Sequence, residues 1–369
     1  MANQTRLLLQ KQEARTETET NKIKRVFLEP LPEQRRQASA VIALMNNKGG
    51  VGKTSLSLAF GLTMARKNKN VLFWDNDGQS NLTQRLGVTD NMLQERRVNV
   101  AFTLAPIAGS KENIRNLPFI LDYPYFMRYR GSTGKAGHIA LMAGSHDAEL
   151  DANAAFGKMN RDPRDYKNIF DFFKQTMDFY RNYFDYIIID TAPALEGNIL
   201  NQMSVRAADN IIVPIDALEA ALGIEQLIKW IAGEASPAIT GRLMPPDLLF
   251  AIVKYTKDTG NKNEVKNTID IDDRLRNNVY RAIESVFGEY VCKEGVKAKP
   301  SLKSKVTFRK TDYDAVVNEL EQKLENKARP NFYTTWNIEK ADELRKSLEV
   351  IAEKNIAKKP VFKNPKYTL

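Results

Sequence analysis

The 369-residue chain has one cysteine, Cys292, and two histidines, His138 and His146. A single thiol excludes a disulfide framework within the chain and any cluster drawing several thiolates from it. With so few Cys and His residues there is no zinc constellation. No apolar run approaches the roughly 18–20 residues that cross a bilayer as a helix. Leu7-Leu8-Leu9, followed by charge, is too short for a signal-peptide core. A cytoplasmic protein is the expectation. Acidic charge is the scarcer sign, with 45 Asp and Glu against 55 Lys and Arg, a net +10. Such a balance favours polyanionic partners, because clustered cations release counterions from phosphates. Hydrophobic content of 43% is ordinary, and the length allows one large α/β domain or two smaller ones.

The most informative segment is Asn47-Lys48-Gly49-Gly50-Val51-Gly52-Lys53-Thr54-Ser55, just after the apolar run Val41 to Met45. A strand feeding a glycine-rich turn that ends in Gly-Lys-Thr is a phosphate cradle. Backbone N–H groups face the phosphates, Lys53 reaches the outer ones, and the Thr54 hydroxyl is a Mg²⁺ ligand. Leu56, Ala59, Phe60, Thr63 and Met64 recur at helical spacing behind it. The cradle therefore stands at a helix N-terminus, where the dipole favours anions. The pattern G-x-x-x-x-G-K-[ST] would have glycine where Asn47 stands, and Lys48 is an extra lysine.

Apolar strands alternate with helical patterns from Val41 onward, the signature of a doubly wound, mostly parallel α/β sheet. Candidate strands are Val41–Met45, Val71–Trp74, Ile139–Met142, Tyr186–Ile189, Ile211–Ile215 and Leu248–Val253. Near-continuous apolar character suits strands covered on both faces. Val279–Phe287, Asp314–Leu324 and Ile338–Ile351 read as amphipathic helices. Residues 91–137 and 257–275 read as insertions. Residues 1–38, with eight basic and five acidic side chains and Pro30 and Pro32, read as an arm or a short docked helix. The unit 39–357 is then one domain, followed by a basic tail, 358–369.

Two further segments carry chemistry. In Val71-Leu72-Phe73-Trp74-Asp75-Asn76-Asp77 a strand ends in two carboxylates, either a turn cap or a group beside a γ-phosphate that orients water. In Tyr186-Ile187-Ile188-Ile189-Asp190 a carboxylate follows a buried run, either a helix cap or turn residue or a charge with a partner. A buried charge needs a partner, and Mg²⁺ held directly or through water is one.

Together these residues resemble the ParA/MinD group of deviant phosphate-loop ATPases. Lys48-Gly49-Gly50-Val51-Gly52-Lys53-Thr54 is similar to its signature loop. Asp75-x-Asp77-x-Gln79-x-Asn81-x-Thr83 resembles the ParA-type second motif, and Ile187-Ile188-Ile189-Asp190 the third. The likeness covers about 39–355. Gly78 departs from it, standing where proline is usual. The resemblance implies an ATPase with ATP and Mg²⁺ as cofactors. Lys48 would reach across a homodimer to the partner's nucleotide, Lys53 would serve the phosphates, Asp77 would position water, and Thr54 and Asp190 would support Mg²⁺. A cation supplied in trans stabilises charge developing on the phosphates. Adenine is favoured over guanine, because Lys254-Tyr255-Thr256-Lys257 follows the last strand in place of Asn-Lys-x-Asp.

Lys297, Lys299, Lys303, Lys305, Arg309 and Lys310 lie in Val296–Thr311 with no acidic residue between them. That run reads either as a solvated loop or as a surface that tracks DNA phosphates without reading bases. The resemblance implies a DNA-partition ATPase, nucleoid-associated, whose ATP-bound dimer holds nonspecific DNA and is stimulated by a ParB-like DNA-binding partner. Two other readings compete. A MinD-like membrane-surface ATPase wants a C-terminal amphipathic helix, which Pro360 and Pro365 oppose, so no membrane partner is expected. A nucleotide-gated replication regulator without turnover sits poorly with intact Lys53, Thr54, Asp77 and Asp190.

Overall fold

A computed structural model describes residues 7–12, 24–28, 30–86, 125–127, 137–144, 163–194, 197–216, 218–253, 271–294 and 313–356. The strands are β1 (Leu7–Gln12), β2 (Lys24–Leu28), β3 (Ala40–Leu44), β4 (Val71–Asn76), β5 (Tyr125–Met127), β6 (Ile139–Met142), β7 (Tyr186–Thr191), β8 (Asn210–Ile215) and β9 (Asp247–Ile252). The longer helices and their short companions are α1 (Glu33–Gln37), α2 (Lys53–Arg66), α3 (Asn81–Arg85), α4 (Pro163–Tyr180), α5 (Ile199–Ala207), α6 (Leu218–Leu222) and α7 (Ile224–Glu234). They continue with α8 (Pro237–Thr240), α9 (Ile271–Phe287), α10 (Asp314–Glu325), α11 (Phe332–Thr335) and α12 (Ile338–Ile356).

All nine strands form one sheet in the order β2-β1-β5-β6-β4-β7-β3-β8-β9. The six from β6 to β9 in that order run parallel. These are the six expected from apolar runs, shifted by a residue or two at their ends. The chain leaves β3, crosses through α2 and returns in β4, which is not adjacent; β7 fills the gap between them. The carboxyl ends of β3, β4 and β7 therefore share one edge, and β3 is where the strand order reverses, the usual place for a ligand crevice.

Alternation along each strand divides the apolar residues between two faces. Val41, Ala43, Leu72, Trp74, Ile187 and Ile189 pack with α4, α5, α7 and α9 on one side. Ile42, Leu44, Val71, Phe73, Ile188 and Leu249 pack with α2 and α10 on the other. Both faces being covered is why the strands read as unbroken apolar runs.

The N-terminal arm is a correction. Residues 7–12 and 24–28 pair antiparallel, Leu9 opposite Val26, and extend the sheet beyond β5. Only α1 matches the short docked helix expected there. Edge pairing is made by backbone groups, so it leaves little trace in side-chain pattern. β5 likewise falls inside the 91–137 insertion and pairs antiparallel with β6. Among the described residues no helix is long and apolar enough to cross a membrane.

Helix α2 approaches the sheet closely at Gly61, where a Cβ would lie 2.2 Å from Phe73 Cζ and 3.0 Å from Ile188 Cδ1. Both neighbours are fully buried. Alanine gains up to about 1 kcal/mol in helix propensity, whereas forcing a methyl into a filled core costs about 1–3 kcal/mol. Gly61→Ala is expected to lower the urea midpoint, and an unchanged or raised midpoint would show that the Phe73 ring moves aside freely.

Candidate active site

The turn after β3 is set by two glycines. Gly50 and Gly52 have φ of 75° and 90°, a region that costs side-chain-bearing residues strain. Gly52 is the N-cap of α2, so the unsatisfied first-turn N–H groups of α2 stand at the loop with their partial positive charge. Lys53 is buried, and its Nζ donates to the carbonyls of Asn46 and Lys48 at 3.2 Å each. Burial lowers its pKa, while Asp190 and Asp77 pull the other way. An ammonium lodged among neutral carbonyls in a buried cleft is a receptor for an anion.

The loop is fastened to the end of β8 and to the segment after it. Asn46, 1% exposed, donates from Nδ2 to the Pro214 carbonyl at 2.8 Å and accepts the Lys48 N–H at 2.9 Å. Asn47 lies over Gly223, where a Cβ would come within 2.6 Å of Asn47 Nδ2. The non-glycine residue at the loop's start is thus accommodated by a glycine elsewhere. Lys48 extends outward, half exposed, and its Nζ meets Glu219 Oε2 at 2.7 Å. That pairing raises its pKa.

Below the loop the strand register assembles carboxylates. Leu44, Asp190 and Asp75 stand level on β3, β7 and β4. Asp190 is fully buried and accepts the Thr54 hydroxyl at 2.7 Å and the Ser57 hydroxyl at 3.0 Å. Burial raises its pKa to about 6 against the pull of those two hydrogen bonds. Asp75, 1% exposed, accepts the Thr83 N–H at 2.9 Å, the Thr83 hydroxyl at 2.7 Å and the Asp77 N–H at 3.2 Å. Burial and then the neighbouring Asp190 charge raise it to about 7. Asp77 accepts the Gln79 N–H at 3.0 Å and is 7% exposed. Lys53, Thr54, Asp77 and Asp190 therefore converge on one edge of the sheet.

A family model with the description AAA domain (AAA_31) matches residues 39–235. The chain belongs to the AAA_31 family. Its relatives include the sporulation initiation inhibitor protein Soj of Bacillus subtilis, 26% identical over 197 residues that make up 52% of this chain and 64% of Soj. The chromosome partitioning protein ParA of Caulobacter vibrioides is 25% identical over 244 residues, 66% of this chain and 79% of ParA. A solved plasmid partition protein of Borrelia burgdorferi, bound to AMPPNP, is 16% identical with a TM-score of 0.49, covering 77% of this chain and 97% of its own. The ParA-type resemblance carried by the loop and the carboxylates is borne out.

Within this AAA_31 chain the sequence-predicted loop residues Lys48 to Ser55 and the carboxylates Asp77 and Asp190 are described. Lys48 stands apart from the others, turned toward Glu219. The DNA candidates Lys297, Lys299, Lys303, Lys305, Arg309 and Lys310 lie outside the described residues, as does the tail from 358. Sequence reasoning missed Asn46, Ser57, Glu219 and Gly223 as partners of the loop. Ser57 was findable, since it follows Thr54 by one helical turn's spacing of three. Glu219 and Gly223 come from contacts distant in sequence, while Asn46 adjoins the loop.

A carboxyl whose pKa is raised by folding holds its proton more tightly folded than unfolded. Its contribution to stability is full below about pH 4 and is lost as pH rises through about 7 for Asp75. In nucleotide-free protein, Asp75→Asn removes this dependence. Relative to wild type, the variant should gain on the order of 2 kcal/mol between pH 5 and pH 8. Urea unfolding at both pH values checks this; a difference that does not change with pH would contradict it.

Proposed function

We propose that this chain is a DNA-partition ATPase in which ATP and Mg²⁺ close a homodimer. One observation carries the reading: Asp190, fully buried, is held by the Thr54 and Ser57 hydroxyls directly behind a loop that also buries the Lys53 ammonium. A buried carboxylate and a buried ammonium without a contact between them are a poor bargain for stability alone. They suit a nucleotide that brings both phosphate and cation.

The donor set fits. The open, left-handed glycine loop and the α2 N-terminus suit phosphate oxygens, and Thr54 with Asp190 offers the hard oxygens that Mg²⁺ prefers. Bound Mg²⁺ supplies charge neutralisation on the phosphates. Lys53 binds the outer phosphates. Asp77, at the end of β4, orients the attacking water. Lys48 swings from Glu219 to the nucleotide of the second protomer; an exposed ion pair is weak, so leaving Glu219 is a small obstacle. Dimer closure then gates hydrolysis.

The ParA and Soj relatives support partition as the process served. In the dimer, Lys297, Lys299, Lys303, Lys305, Arg309 and Lys310 hold DNA phosphates without reading sequence, and a DNA-bound partner of the ParB kind stimulates turnover. In sedimentation runs with ATP, Asp77→Ala is expected to accumulate as a dimer and Lys48→Ala to remain monomeric. An Asp77→Ala protein that stays monomeric would overturn the gating. DNA binding is expected with ATP and not with ADP, and equal binding with both would remove the switch.

A further inference from the structure

Thr83 and Gly144 are given no role in the reading above, yet a closed, buried polar network is built on them. The Asp75 carboxylate receives the Thr83 N–H at 2.9 Å and hydroxyl at 2.7 Å on Oδ2, and the Asp77 N–H at 3.2 Å on Oδ1. The hydroxyl of Thr83, a residue 1% exposed, accepts the Gly144 N–H at 2.9 Å. Gly144 has no room for a side chain, since a Cβ would lie 2.8 Å from Asp75 Cγ and 2.9 Å from the Asp75 carbonyl oxygen. Three elements meet in this cluster: the end of β4, the start of α3 and the end of β6.

The turn that carries Asp77 spans this clamp. Ser80 N–H donates to the Asp77 carbonyl at 2.8 Å, and Gln79 N–H to Asp77 Oδ1 at 3.0 Å. The turn ends at Ser80 with φ 51°, one of two non-glycine residues at positive φ among the described residues. Such a conformation persists only where its surroundings over-determine it. Here the Asp75 carboxylate grips both ends, the Asp77 N–H before the turn and Thr83 after it.

The choice of threonine follows from donor and acceptor counting. The Gly144 amide only donates, and an ionised Asp75 carboxylate only accepts. A hydroxyl does both on a single atom, so it bridges them, whereas an aliphatic side chain of the same size does not. We infer that Thr83 is a positioning residue that, through Asp75 and the Gly144 amide, fixes the turn holding Asp77. The inference rests on the reading of Asp77 as the group that orients water.

The test compares wild type, Thr83→Val and Thr83→Ser in steady-state ATP hydrolysis, affinity for a fluorescent ATP analogue, and amide hydrogen exchange at Asp77, Gln79 and Ser80. Thr83→Val should lose about tenfold or more in kcat while analogue affinity stays within about threefold, the pattern of an interaction that matters to the transition state and not to binding. Its Asp77 and Gln79 amides should exchange at least about tenfold faster, while those of β3 and β7 are unchanged. Thr83→Ser should match wild type in all three, and Thr83→Ala replaces the valine variant if that fails to fold. A valine variant with wild-type turnover, or a serine variant as slow as valine, overturns the inference. If wild type itself turns over no ATP, the hydrolytic reading fails, and unchanged exchange in Thr83→Val then overturns the positioning role independently.

Discussion

The arrangement depends on the cost of burying charge. Asp190 sits at 0% exposure at the end of a central strand, with hydroxyls from the first turns of α2 as its partners. Lys53 is buried at the same helix start. Neither group is compensated by direct contact with the other, and the pKa of each moves in the direction that reduces its charge. Everything around them serves to hold this unfavourable pair in place. The apolar sheet locks β7 beside β3, close packing at Gly61 draws α2 onto the strands, and two left-handed glycines turn the chain back sharply enough to bring Lys53 over Asp190. A ligand with negative phosphates and a divalent cation would relieve both groups together, which is the physical basis of the function proposed above.

The same accounting separates the two carboxylates at the end of β4. Asp75 is enclosed by donors from Thr83 and Asp77, and so is committed to structure. Asp77 lies two residues further on, just past β4, with a backbone donor from Gln79 on its carboxylate. Position along the strand, rather than residue type, divides scaffold from candidate chemistry. The end of β8 and the segment after it form a second scaffold. Through Pro214, Glu219 and Gly223 it touches three consecutive loop residues, Asn46, Lys48 and Asn47. These contacts tie the loop to α6 and its exposed Leu222.

By itself the sequence determined the six parallel strands and the cradle with its helix, and it named Lys53, Thr54, Asp77 and Asp190 as the candidate groups that the fold brings together. Those features are encoded locally: unbroken apolar runs mean two covered faces, and glycine spacing dictates a turn. Only the tertiary structure decided three other matters. The N-terminal strands join the sheet through backbone pairing, which composition does not record. Lys48 rests against Glu219, a partner brought near by the adjacency of β3 and β8. Asp75 and Asp77, indistinguishable as letters two residues apart, differ in surroundings because Thr83 and Gly144 close around one and leave the other with a backbone donor from its own turn. Each of these depends on which distant strands become neighbours, and that is fixed by the packing of the whole sheet.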